Sequence, residues 1–76
     1  MSMHHSDQTH RNLLARIPQV TGRALTDWFR EVDAGPGLSR FEERVNWLRY
    51  EFDLPHSYAC AIVHEHDLRR AARAFA

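Results

Sequence analysis

Apolar positions fall into four runs, separated by polar breaks that carry glycine or proline. In the first run Leu13, Leu14 and Ile17 share one side, with Thr9 as an N-cap. Pro18 disfavours helical geometry in the residue before it, so the pattern predicts a helix over residues 9–17. The connector that follows should insert Val20 into the core and let Gly22 take a positive φ. In the second run Leu25, Trp28, Phe29 and Val32 recur at helical spacing over 25–33, ahead of Gly35-Pro36-Gly37, which ends the helix. The third opens on Ser39 and Glu42, the S-x-x-E capping pattern, and predicts a helix over 40–52. Phe41, Val45, Leu48 and Phe52 occupy a narrow sector that Trp47 widens, and Arg40, Glu43, Arg44 and Glu51 are left for solvent. Asp53-Leu54-Pro55-His56 then turns the chain, with Leu54 as an apolar plug and Pro55 at or just before the next helix. In the fourth run Tyr58, Ala59, Ile62 and Val63 form the inward stripe, which His66 continues as a satisfied core or boundary histidine.

These runs predict an all-α protein, a compact bundle of four helices in which the third and fourth form a helix-turn-helix-like pair. Residues 1–8 read as a disordered His-rich tail, 9–66 as the helical domain and 67–76 as an Arg-rich helical extension. The extension carries a mismatch. If the fourth helix runs straight on, Arg69, Arg70 and Arg73 enter the sector that Tyr58, Ile62 and Val63 bury, while Leu68, Ala71, Ala72 and Phe75 form a stripe on another side. Either the helix breaks near residues 64–67 and folds back, or it runs past the domain and offers that stripe to a partner, or the end of the chain frays.

Composition narrows the classes. A chain of 76 residues holds one domain. Its ten basic residues are all Arg and balance ten acids, so no global field draws it to nucleic acid or an anionic membrane. Charge is local: +2 over residues 1–23, −3 over 24–53 and +1 over 54–76, with His neutral. One Cys excludes an internal disulfide, and no run of about 18 apolar residues is present, so the expectation is a soluble, cytoplasmic protein.

Candidate chemistry is sparse. His56, Cys60, His64 and Asp67 line up opposite the inward stripe, and Cys60 with His64 has the spacing to share a zinc ion, but one helix offers at most three ligands where a structural site wants four. The neighbours His64 and His66 point to different sides of a helix and cannot grip one ion together. At the start, removal of Met1 would leave the amine of Ser2, the amides of Met3 and His4 and the His4 imidazole as a tetragonal nitrogen set for Cu(II) or Ni(II), a weak candidate in a tail. Cys60 and His64 are the one pair with the chemistry of a thiol and its base, and nothing orients them. The reading is therefore no enzyme and no cofactor.

Thr21-Gly22 with Trp28, then Glu43-Arg44-Val45-x-Trp47-Leu48, then Leu54-x-His56-x-x-Ala59-x-x-Ile62-Val63-His64 together resemble a short bacterial family catalogued as a domain of unknown function, forty-two eighty-seven. The resemblance covers about residues 17–65. The chain departs from it at the corner, where Asp53, Pro55, Ser57 and Tyr58 replace a glycine- and histidine-rich segment and His56 is kept. The resemblance implies the four-helix fold and no catalytic residue.

Two functional expectations follow. The first is a non-catalytic interaction module that binds a protein partner, or a second copy of itself, through Leu68, Ala71, Ala72 and Phe75. The alternative is a DNA-binding protein whose fourth helix reads bases through Ser57, Cys60 and His64 while Arg69, Arg70 and Arg73 hold phosphates. Against the second stand an acidic third helix, zero net charge and a reading face without Arg, Gln or Asn.

Overall fold

A computed structural model of the chain describes residues 7–74. They form four helices, α1 (Asp7–Thr21), α2 (Leu25–Ala34), α3 (Phe41–Phe52) and α4 (His56–Ala74), and no strand occurs among them.

Pro18 does not end α1; it lies inside it. A proline costs a helix one donor, here the bond to the Leu14 carbonyl, yet the chain stays helical through the turn that follows. Here the Thr21 hydroxyl donates to the Ile17 carbonyl at 2.7 Å and the Gly22 amide to the Pro18 carbonyl at 2.9 Å. That extra turn corrects a second expectation. Positions 17 and 21 take the inward side, and Val20 is left 60% exposed rather than in the core. Gly22 has the positive φ expected of it, 75°.

The break after α2 uses its first glycine for space. Gly35 is extended (φ −72°, ψ −179°), and a Cβ built on it would stand 2.7 Å from Cη2 of Trp47. The glycine therefore lets the α3 indole lie against the backbone at the end of α2. Trp47 and Trp28 each meet Phe52 edge-on, at 5.6 and 5.2 Å between ring centres. Arg23 covers this aromatic group, its guanidinium 4.5 Å from the Trp28 ring.

The N-terminus of α3 falls one residue later than the capping pattern suggests. Arg40 is the N-cap, and its amide donates to Glu43 Oε1 at 3.4 Å, so Glu43 rather than Glu42 reaches back. At the other end Asp53 adopts the left-handed conformation (φ 55°, ψ 42°). Leu54 then plugs the corner, 8% exposed, and the Pro55 carbonyl accepts from the amides of Tyr58 and Ala59 as α4 begins.

The longest helix, α4, is the centre of the bundle and packs against each of the other three. Its Ala59, Ala61, Ile62 and Val63 are buried with Ile17, Trp28, Val45 and Leu48. Small residues at 59 and 61 let neighbouring helices approach closely, and the large side chains around them fill the space. Phe41, at the very start of α3, sits at the margin of this core, 38% exposed.

Candidate functional site

From Glu65 onward α4 leaves the apolar core and meets polar groups from all three neighbours. The helix does not break near 64–67; it continues to Ala74. His66 follows the inward stripe as expected and is 4% exposed. Its Nε2 lies 2.7 Å from Asp33 Oδ1 at the end of α2, so that nitrogen carries the hydrogen and donates it to the carboxylate. Nδ1 is buried without a hydrogen bond, 3.7 Å from Asp67 Oδ1.

Asp67 in turn is gripped by Arg44 of α3, Nη1 to Oδ1 at 2.6 Å and Nη2 to Oδ2 at 3.2 Å. This corrects the placement of Arg44 in solvent: its side chain is 17% exposed and makes a bidentate pair across helices. Burial works to raise the Asp67 carboxyl, but the Arg44 hydrogen bonds and charge, with His66 adding less, outweigh it and hold Asp67 below the usual carboxylate range. Asp33, His66, Asp67 and Arg44 thus form one polar chain that ties α2, α4 and α3 together.

A parallel link joins α1. His10 Nε2 lies 3.0 Å from Glu65 Oε1, and Arg69 Nε donates to Glu65 Oε2 at 3.0 Å. Burial again works upward on Glu65, and the bonds from His10 and Arg69 bring it below its ordinary value. The His64 ring meets His10 edge-on at 5.0 Å.

Two grooves flank the end of α4. One, of about 530 Å³, lies between it and α2, with Phe29 and Ala72 among its lining and Arg30, Arg69 and Arg73 around it. The other, of about 880 Å³, lies against the α2–α3 connector and is lined by Pro36, Leu38, Arg44, Asp67, Arg70 and Ala71, among others. His66 and Asp33 line both.

The residues singled out from sequence divide accordingly. Leu68 is 49% exposed, and Ala71 and Ala72 are exposed, so three of the four stripe residues stand at the surface of α4; Phe75 lies outside the described residues. Of the arginines, Arg69 is tied to Glu65 and stacked 4.9 Å over the Phe29 ring, while Arg70 and Arg73 are exposed and make no ion pair among the described residues. Ser57 and His64 are exposed and Cys60 is half-buried. The Cys60 Sγ lies 3.4 Å from His56 Nε2, and burial pushes its thiol up against the weaker pull of Arg49. Among the described residues no three His, Cys, Asp or Glu side chains are grouped to hold a metal ion, and no helix is long and apolar enough to cross a membrane. Ser2, Met3 and His4 lie outside the described residues.

Sequence reasoning missed Phe29, Arg30, Asp33 and Arg44 as neighbours of this region. An inward-facing His66 signals that some acceptor must meet it, but which helix supplies the acceptor depends on packing.

A family model described as a domain of unknown function (DUF4287) matches residues 9–68. No curated protein and no solved structure matches the chain.

Proposed function

We propose, for a chain that belongs to the family described as domain of unknown function DUF4287, a non-catalytic role as a helical interaction module that docks a protein partner, or a second copy of itself, on the end of α4. The observation that carries this reading is the half-exposed Leu68 with exposed Ala71 and Ala72 one turn on, on a helix that continues to Ala74. Small residues one turn beyond the leucine let another helix approach closely, and covering its remaining apolar area contributes on the order of 1 kcal/mol. Such a stripe is too small alone for a stable interface of roughly 1,200 Å² or more, so a partner must also cover ground beside it. The two grooves supply that ground.

The absence of catalysis in this reading rests on Cys60, whose thiol is disfavoured as a thiolate and whose partner His56 has no orienting group among the described residues. The alternative, DNA contact through Ser57, Cys60, His64, Arg69, Arg70 and Arg73, draws support from the two arginines without ion pairs. It ranks second because α4 is held on three sides by other helices, His64 lies against His10, and Arg69 is engaged by Glu65. A recognition helix needs one long face open to the groove.

The test is a Leu68→Asp/Ala72→Asp double variant, compared with the parent chain by circular dichroism and by mass in solution. The expected result is unchanged helicity with association lost. Association equal to that of the parent chain would overturn the reading.

A further inference from the structure

We infer that the groove between α2 and the end of α4 receives an acidic segment of the partner that also carries aromatic or aliphatic side chains. This deepens the docking role proposed above and rests on it. The floor of the groove is apolar, with the Phe29 ring and Ala72, and its volume of about 530 Å³ suits a short stretch of side chains. Around that floor stand Arg30, Arg69 and Arg73, and Asp33 is the one acid among the lining residues. Its Oδ1 is already taken by His66.

The arginines are available in different degrees. Arg73 has no ion pair among the described residues. Arg69 commits Nε to Glu65 and rests on Phe29, which holds the guanidinium at the edge of the groove with its terminal amino groups uncommitted in the hydrogen bonds seen. Arg30 reaches Asp27 at 3.4 Å from a side chain that is 80% exposed, a weak tie that an incoming carboxylate can replace. Carboxylates that meet such forks make charge-assisted, often bidentate hydrogen bonds, and the apolar floor gives a neighbouring ring or branched side chain a place to leave water. A bare phosphate backbone would use the arginines and leave the floor uncovered. The charge pattern and the floor together therefore select an acidic, apolar-bearing peptide.

The experiment is fluorescence anisotropy on the full chain with a labelled peptide that alternates Glu with Phe and Leu. Controls are the same peptide with Gln for every Glu, the same peptide with Ala for every Phe and Leu, and a short DNA duplex as competitor. Saturable, salt-weakened binding is expected, about tenfold tighter than for either control peptide, with DNA a poor competitor. Arg73→Glu should weaken it by about tenfold, whereas Arg16→Glu, the same charge change at an exposed position on α1, should alter it by less than about twofold. Equal binding of the Glu and Gln peptides, equal losses in the two variants, displacement by DNA or no saturable binding would each overturn the inference. A Leu68→Asp single variant, which leaves Phe29 and Ala72 of the groove unchanged, separates it from the docking reading. If parental association depends on Leu68 but the parent ignores the peptide, only the groove fails; if the peptide binds but association ignores Leu68, only the stripe fails.

Discussion

Thr21 shows how much one side chain holds here. Its hydroxyl donates to the Ile17 carbonyl in the last turn of α1, and accepts from the Arg23 amide at 3.3 Å and from the indole Nε1 of buried Trp28 at 3.2 Å. A Thr21→Val change keeps the shape and leaves that indole hydrogen without a partner. Loss of about 1–3 kcal/mol of stability is expected in urea unfolding, because a buried donor without an acceptor bears its full desolvation cost. Asp67 gives a prediction in pH. Its folded-state pKa lies below its unfolded value, so its contribution is fully present above the unfolded value, about 3.9 for an aspartate, and is lost as pH falls through the folded one. An Asp67→Asn chain should be less stable near neutral pH by about 1 kcal/mol, discounted for the partial exposure of the pair. The gap should close progressively below about pH 3.9 in acid titrations of unfolding. A gap independent of pH would show that the Arg44–Asp67 charge pair contributes nothing.

The helices themselves were legible to the extent that apolar spacing decides them. The stripe over Leu25, Trp28, Phe29 and Val32, the plug at Leu54 and the inward path of Ile62, Val63 and His66 all stand as the pattern predicts. What failed was local and has a physical cause in each case. Pro18 removes only the bond to the Leu14 carbonyl, and the chain beyond it stays helical to Thr21, where the Gly22 amide closes the last turn on the Pro18 carbonyl. Glu42, the acid of the S-x-x-E pattern, is followed directly by Glu43, and with the helix starting one residue later it is Glu43, three residues after the Arg40 N-cap, that reaches back. Arg44 sits between the solvent and core sides of α3, so its fate turned on Asp67 arriving from another helix. The grooves beside α4 were not readable at all, since each is made by elements far apart in the chain. Where α3 ends, Asp53 bears the strain of a left-handed residue with a Cβ. Replacing it with glycine should raise stability by about 0.5–1 kcal/mol, a gain that thermal unfolding would detect and that an Asp53→Ala chain would lack.

Across the whole molecule, α4 divides into two parts with different work. Its first half is the axis of the bundle, wrapped by α1, α2 and α3. Its second half is fastened to each of them by a polar tie, His10–Glu65, Asp33–His66 and Arg44–Asp67, and then projects Leu68, Ala71 and Ala72 outward with open grooves on both flanks. Those ties account for a rod that stays helical past the core, and a rigid helix face loses little entropy when a partner covers it. The most direct check is the mass of the full chain by light scattering coupled to size exclusion, over a wide concentration range, at low and high salt, with and without short duplex DNA. The account predicts association with a protein surface, seen as a dimer at higher concentration or as a one-to-one complex with an acidic partner segment, indifferent to DNA. A chain that stays monomeric with every protein or peptide offered, and shifts with DNA in a salt-sensitive way, would contradict it and move the function of α4 to the nucleic-acid groove.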